Sequence, residues 1–296
     1  LNVHDPSLSY SMQTTSIKLL LNLIEGIIHR NDAEGKGRVL LVRIMDTIVN
    51  KFVTLKDRIP KLLATYKAHT ERSAAARAQA ATGSEPNDGG LKEINDCKVL
   101  IRTLILGLKT VVWSASNLRT AQAVPNQAAP GATQPAPATQ QQVRKGLTKE
   151  ECLLISRLLK GALKCFPIYS AVPSSTPSEE KDMLDLFAQV FTVLEVRNFQ
   201  DIISVRMQTL FDHMADNQAM LTIPQHFLAN ANISKHFAEI LLNFLVERMD
   251  LLGKISWDRD AKMASVLLRL FKIVFASVTL FPDNEPVLQP HLAKIV

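Results

Sequence analysis

Apolar residues in this chain recur with the spacing of an α-helix, and this periodicity constrains the fold more than any other feature of the sequence. One stripe consists of Ile17, Leu20, Leu21, Ile24 and Ile28. A longer one consists of Met263, Val266, Leu267, Leu270, Phe271, Val274, Phe275 and Val278. The i, i+3, i+4 spacing places each set on one helical face. Strand-like alternation is scarce and only 11 glycines occur, so we predict an all-α fold.

Several of these helices carry apolar residues on a second face as well. Leu19 and Leu23 lie off the first stripe, and Leu268 and Ile273 lie off the last. In a helical-repeat array each helix packs against its own partner and against the next repeat, which requires two apolar faces. We therefore predict a HEAT-type α-solenoid, a superhelical stack of antiparallel helix pairs with a period of about 40–47 residues. A compact helical bundle is the alternative.

Two compositional shifts divide the chain. Residues 68–92 contain an alanine run followed by GSEPNDGG, and residues 119–146 are rich in Gln, Ala and Pro. Such segments bury too little apolar surface to offset the entropy of ordering them. We predict a flexible linker over 68–92 and a disordered linker over 119–146. HEAT-type helices are then expected over 1–67, 93–118 and 147–296.

Helix boundaries are marked most clearly by two capping boxes. Thr148 with Glu151, and Thr176 with Glu179, have the spacing in which a hydroxyl and a carboxylate each satisfy a free backbone N–H. Proline interrupts the helical hydrogen-bond ladder, so we expect helices to end near residues 60 and 167. A single helix is expected over about 199–214.

The sequence shows no pattern typical of a catalytic, cofactor or metal site. No GxSxG motif occurs, the seven histidines lack metal-ligand spacing, and the three cysteines form no CxxC pair. Three free thiols fit a reducing compartment. The most apolar runs contain Arg or Lys and fall short of the ~20 uncharged residues of a membrane span. We expect a non-enzymatic protein without cofactors that does not enter a membrane, and the start at Leu1 suggests a segment of a longer chain.

Charge is distributed unevenly along the chain. Residues 1–170 have a net charge of +10 and residues 171–296 a net charge of −4. Basic residues are densest between 36 and 77, where ten Lys and Arg face three Asp and Glu. We select Lys51, Lys56, Arg58 and Lys61 as a candidate face for an acidic partner. The alternatives are an ordinary solvated helix face or a face that packs on another part of the parent protein.

Five stretches carry a resemblance to a known family. They are residues 4–8 (HDPSL), 16–23 (SIKLLLNL), 104–113 (LILGLKTVVW), 244–249 (FLVERM) and 268–296. They resemble the N-terminal HEAT-repeat region of the TRRAP (transformation/transcription domain-associated protein) family. The resemblance covers all the helical parts in order, and both linkers fall where that family has variable insertions. It implies a very large protein of the phosphatidylinositol-3-kinase-related class whose kinase-like lobe, outside this segment, lacks catalytic residues.

The resemblance also implies a function, whereas composition and periodicity indicate only a solenoid. It implies a nuclear scaffold in SAGA-type and related histone acetyltransferase complexes, with acetyltransferase subunits as partners and acidic transcription activators as further ligands. No direct nucleic-acid binding is expected on this reading. The alternative is a basic HEAT-repeat protein that binds nucleic acid or transport cargo. A third hypothesis, part of an active lipid- or protein-kinase-class enzyme, depends on sequence outside this chain.

Overall fold

The described part of the chain is almost entirely helical in a computed structural model. That model describes residues 3–28, 35–79, 88–118, 120–122, 142–144, 147–251 and 257–295. Within these ranges the helices are α1 (Tyr10–Ile28), α2 (Lys36–Gln79), α3 (Asp88–Asn117), α4 (Lys149–Ser170), α5 (Pro177–Phe191), α6 (Val196–Ser204), α7 (Met207–Asp216), α8 (Thr222–Leu228), α9 (Ser234–Met249), α10 (Trp257–Leu280) and α11 (Glu285–Ile295). Short 3-10 turns precede α8 and α11.

One small β-ribbon departs from the helical pattern. Strand β1 (Thr120–Gln122) pairs antiparallel with β2 (Gln142–Arg144). Both lie within the two ends of the predicted 119–146 linker. Three residues a strand do not change the fold class, and the predicted all-α class is confirmed.

The helices form two layers that run along the molecule. In the first layer α1 packs against α3, α3 against α5, α5 against α8, and α8 against α10. In the second α2 packs against α4, α4 against α6, α6 against α9, and α9 against α11. Each of these ten helices therefore stacks on a helix of a neighbouring pair, which is the arrangement of a solenoid, while α7 belongs to neither row and contacts α4 and α10. The HEAT-type α-solenoid is confirmed.

The stacked helices α2 and α4 run parallel. Arg38 of α2 bonds to Glu151 of α4, and the backbone carbonyl of Phe52 lies 3.7 Å from the sulfur of Cys165. Both pairs are separated by 113 residues in sequence, and a constant offset is found only between parallel helices. Gly161 of α4 allows the close approach, because a Cβ there would lie 2.7 Å from the Cβ of Phe52.

Both capping boxes form as predicted. The Thr148 hydroxyl accepts the Glu151 N–H while the Glu151 carboxylate accepts the Thr148 N–H, and Thr176 and Glu179 do the same at α5. Each box satisfies two backbone donors that the first helical turn leaves unpaired.

The predicted breaks at proline were wrong. Pro60 lies inside α2 and Pro167 inside α4. Both prolines are exposed, so water can hydrate the carbonyl that each leaves without a donor. Their neighbours Ile59 and Ile168 are buried, and this packing holds the helix together across the proline.

The first linker was predicted too wide. Helix α2 continues to Gln79 and α3 begins at Asp88, so the alanine run, a strong helix former, extends α2 instead of opening a loop. Of the predicted 68–92 linker, residues 80–87 lie outside the described residues. Of the predicted 119–146 linker, residues 119, 123–141 and 145–146 also lie outside them.

An aromatic cluster joins the two layers in the second half of the chain. Phe227 of α8 makes edge-on ring contacts at 5.2 Å with Phe199 of α6 and at 5.0 Å with Phe237 of α9. It also approaches Phe191 of α5 at 6.4 Å. All four rings are fully buried, so this cluster anchors two successive helix pairs, α5 with α6 and α8 with α9, in one core.

Two helices are long and apolar enough to cross a membrane by length and composition alone. They are Gly90–Asn117 of α3, whose apolar window is 61% buried in the fold, and Ala261–Leu280 of α10, at 33%. Packing against α1 and α5 accounts for the apolar composition of α3. Helix α10 leaves Leu268 and Leu280 exposed.

Candidate interaction surface

The predicted basic face does not exist as one surface, because Lys51 is buried. Its side chain is 1% exposed. Its ammonium donates to the Val3 carbonyl at 2.8 Å and to the side-chain oxygen of Gln13. Gln13 in turn donates to the Leu8 carbonyl at 2.7 Å. Lys51 therefore ties the segment before α1 to α2 and offers no charge to a partner.

The other three predicted residues are exposed but do not act together. Arg58 lies over the Tyr10 ring, 5.8 Å from its centroid, on the side of α2 that faces α1. Lys56 pairs with Asp57 at 3.6 Å, with both side chains largely in solvent. Lys61 is exposed about one helical turn beyond Arg58. A five-residue separation turns a helix by more than a third of a revolution, so Lys56 and Lys61 point in different directions.

A continuous basic stripe lies instead on α4. Its members are Lys149, Leu153, Arg157, Lys160 and Lys164. At 3.6 residues per turn these five positions fall within one quarter of the helix circumference, and none of them is buried. Four of the five are basic. The helical spacing of these five positions is visible in the sequence, but the density of basic residues, which singles out residues 36–77, does not reveal it.

The stripe becomes a cluster because neighbouring helices add cations to it. Burial lowers the pKa of Lys164, and the nearby charges of Lys160, Lys56 on α2 and Arg206 after α6 lower it further. Arg206 is fixed in place, since its Nε donates to the Ser156 hydroxyl at 2.6 Å and to the Ser156 carbonyl at 3.0 Å. Lys56, Lys160, Lys164 and Arg206 thus form a basic cluster across the second layer.

Part of the positive charge on this face is neutralised. Arg157 lies 3.6 Å from Asp46, and Lys56 pairs with Asp57. Among the described residues, no carboxylate lies within 4.0 Å of the ammonium groups of Lys160 or Lys164.

An open groove adjoins the cluster between α4 and α6. Its volume is about 460 Å³, and it is lined by Leu147, Lys149, Cys152, Leu153, Ser156, Arg197, Asn198, Asp201 and Val205. Leu153 is 58% exposed and Val205 is 64% exposed. Ser156, which holds Arg206, connects the groove to the basic cluster.

The chemistry of the thiols does not favour catalysis. Burial raises the pKa of Cys97 and of Cys165 to about 12, and burial also raises the pKa of Cys152. A protonated thiol is a poor nucleophile and a poor metal ligand. In the part of the chain that the structure describes, no group of three His, Cys, Asp or Glu side chains is placed to hold a metal ion.

Comparison with known proteins gives one consistent result. The model of a family described as "Tra1 HEAT repeat central region" matches residues 1–89 and 74–296. The zebrafish (Danio rerio) "Transformation/transcription domain-associated protein" is 29% identical over 100% of this chain. Fission yeast (Schizosaccharomyces pombe) has a relative named "SAGA complex/NuA4 acetyltransferase complex subunit Tra1", 29% identical over 97% of the chain. The chain spans about 8% of the length of each of these two proteins.

Proposed function

Since this chain belongs to the family of the Tra1 HEAT repeat central region, we propose that it is a non-catalytic scaffold segment of a histone acetyltransferase coactivator complex. The family predicted from the sequence stretches is confirmed. The matching family model specifies the central HEAT-repeat region, where the resemblance pointed to the N-terminal one.

The observation that supports a scaffold is the two-layer stack itself. Helices α1 to α11 bury their apolar stripes on each other, and both layers keep a long outward face. Repeat stacks of this kind present extended surfaces to other proteins. The fission yeast relative is named as a SAGA and NuA4 subunit, and we propose subunits of such complexes as the partners of this chain.

We also propose that the segment catalyses nothing, binds no cofactor and acts in the nucleus. The raised pKa values of the three thiols, which keep them protonated, support the first part of this proposal. The names of the relatives, which refer to transcription and to acetyltransferase complexes, support a nuclear location.

We further propose that acidic transcription activators dock on this chain. This proposal is supported by the resemblance of the sequence and by the basic cluster on α2, α4 and the α6–α7 junction, which would speed the approach of an acidic chain. The face made of Lys51, Lys56, Arg58 and Lys61 does not support it, because Lys51 is buried.

The same basic cluster supports a second candidate function, the binding of nucleic acid or transport cargo. Phosphate contacts release counterions, so affinity for nucleic acid falls steeply as salt rises. The affinity of a partner held mainly by apolar contacts falls less as salt rises. Titrating the chain with a nucleic acid and with an acidic activator peptide at two salt concentrations therefore separates nucleic-acid binding from activator docking.

Affinity purification tests the scaffold proposal. The natural protein that contains this chain is tagged in its own cell and purified, and its partners are identified by mass spectrometry. We expect acetyltransferase subunits among the most abundant partners. A partner set of nucleic-acid-processing or transport proteins without acetyltransferase subunits would overturn the proposal.

A further inference from the structure

The loop between α4 and α5 contains a sequence motif that a scaffold role does not explain. Thr176-Pro177 is the single place in the chain where a Ser or Thr precedes a proline, although the chain has 14 prolines. Proline lacks a backbone N–H and favours an extended conformation of the residue before it. Proline-directed protein kinases select their hydroxyl acceptors by this feature, so Thr176 is a candidate acceptor.

The structure leaves this acceptor accessible. Thr176, Pro177 and Ser178 are all exposed. The backbone of Thr176 is extended, with φ −105° and ψ 151°, and kinases take up the chain around an acceptor in extended form. The Thr176 hydroxyl accepts the Glu179 N–H at 3.3 Å, a long bond that a small opening of the first helical turn would release.

A lysine ammonium lies close to the same threonine. Lys98 of α3 donates to the Ser174 carbonyl at 2.9 Å and to Oε2 of Glu179 at 2.7 Å. The same Oε2 accepts the Thr176 N–H at 3.1 Å, so one carboxylate oxygen lies between the lysine and the threonine. Lys98 also lies over the Tyr169 ring, 5.4 Å from its centroid. Its contacts with Ser174 and Tyr169 do not involve Glu179, so they keep the ammonium near Thr176 even if Glu179 moves away.

We propose that Thr176 is phosphorylated by a proline-directed protein kinase and that Lys98 then binds the phosphate. In the transfer the Thr176 oxygen forms a bond to the γ-phosphorus of ATP. The bond from that phosphorus to the bridging β-phosphate oxygen breaks, and ADP leaves. The hydroxyl proton passes to the catalytic aspartate of the kinase. The kinase supplies all the catalytic groups, so the proposal does not depend on the scaffold function.

The surroundings of Thr176 favour a phosphate on balance. The phosphate adds a charge of about −1.5 to −2 at pH 7 at the N-terminus of the 15-residue helix α5, where the helix dipole stabilises anions. Lys98 can offer it a charge-assisted hydrogen bond. Glu179 and Glu180 repel it, so we expect the phosphate to displace the Glu179 carboxylate from Lys98. The α3–α5 contact then runs through a more highly charged pair than before.

Phosphorylation of the folded 296-residue chain tests the acceptor. The chain is incubated with ATP and a purified mitogen-activated protein kinase, and the modified residue is mapped by mass spectrometry. We expect phosphate on Thr176, and Thr176→Val and Pro177→Ala should each lower its incorporation by at least about tenfold. Ser178→Ala, at an exposed site two residues away, is the matched control and should be phosphorylated as the wild type is. Circular dichroism checks that each variant is folded.

The melting temperature tests the pairing with Lys98. The phosphorylated chain should melt at a higher temperature than the unmodified chain. In Lys98→Met this gain should be lost, because the phosphate then meets Glu179 and Glu180 without the cation. Lys109→Met is the control, because Lys109 is exposed on the same helix about three turns away, and it should keep the gain.

Three outcomes would overturn the proposal. One is a kinase that phosphorylates a synthetic peptide of residues 170–184 but not the folded chain, which would mean that the capping box closes the acceptor. Another is incorporation that Pro177→Ala leaves unchanged, which would assign the site to a kinase that reads the carboxylates of α5. The third is a phosphorylated chain that melts no higher than the unmodified one, or whose gain persists in Lys98→Met.

Discussion

Arg38 on α2 binds the same carboxylate of Glu151 that caps the first turn of α4. Its Nε lies 2.6 Å from Oε1 of Glu151, and Oε2 accepts the Thr148 N–H at 2.7 Å. The arrangement recurs one pair further along, where Lys98 on α3 donates to Glu179 of the α5 capping box at 2.7 Å. In both cases a cation of one helix closes the N-terminus of the helix stacked on it, which sets the register between neighbouring pairs.

The two carboxylates differ in burial, and this difference predicts unequal effects of their removal. Glu151 is 1% exposed and Glu179 is 38% exposed. Glu151→Ala should lower the free energy of unfolding by ~3–5 kcal/mol, because it breaks a buried ion pair and the α4 capping box together. Glu179→Ala should lower it much less, since solvent screens that pair. Urea denaturation measures both. Equal losses would show that the capping boxes stabilise the fold and that Arg38 and Lys98 add nothing to that stability.

Gly161 should resist substitution although it lies inside a helix. Alanine favours a helix over glycine by ~1 kcal/mol, but a Cβ at residue 161 would lie 2.7 Å from Phe52. We expect Gly161→Ala to destabilise the chain by ~1–3 kcal/mol through overpacking. Gly26→Ala in α1 is the control, because nothing lies within 4 Å of a Cβ there, and it should be neutral or stabilising. A gain in melting temperature for both variants would contradict the close packing of α2 and α4.

The fold was predictable because its signals are local. Apolar stripes such as Ile17 to Ile28 and the capping boxes at Thr148 and Thr176 require only near neighbours in sequence. The prediction failed where distant contacts decide the structure. Pro60 and Pro167 stay within helices because packing of the adjacent buried residues outweighs the lost backbone bond.

The candidate surface was less predictable for the same reason. Local charge density selected Lys51, but its burial depends on Val3 before α1 and Gln13 within α1, which lie 48 and 38 residues away in sequence. The groove arises because the expected helix over 199–214 breaks into α6 and α7 at Val205. Arg206, which follows the break, bonds to Ser156 across 50 residues. No periodicity within 199–214 could have indicated that contact.

Phe227 should be among the side chains whose loss most destabilises the second half of the chain. Its ring contacts three other buried rings on three different helices. Phe227→Ala should lower the free energy of unfolding by ~3–5 kcal/mol through the cavity that it leaves. Phe275→Ala on α10 removes the same atoms from a site that is 38% exposed, and it should have a much smaller effect. Thermal unfolding of the two variants decides the matter. Similar melting temperatures would place Phe227 outside the core.

Lys51 predicts a stability change at alkaline pH. Burial, and secondarily the charge of Arg58, lower the pKa of Lys51 to about 8, against 10.5 for an ordinary lysine. Between these two values the unfolded chain binds more protons than the folded one, so this group makes the free energy of unfolding rise with pH. Below pH 8 both states are protonated and the contribution is constant.

Comparison of the wild type with Lys51→Met isolates that contribution. Burial raises the pKa of Tyr10 and of Cys97 to about 12, which makes stability fall as pH rises, but both groups are present in the two proteins. The difference in unfolding free energy, wild type minus Lys51→Met, should be flat below pH 8 and should rise toward pH 10.5. Lys61→Met, at an exposed site on the same helix, should show no such rise. A difference that stays flat across this range would mean that the Lys51 ammonium keeps its ordinary pKa, and that its bonds to Val3 and Gln13 compensate fully for its burial. A difference that falls would mean that these bonds raise its pKa above the ordinary value.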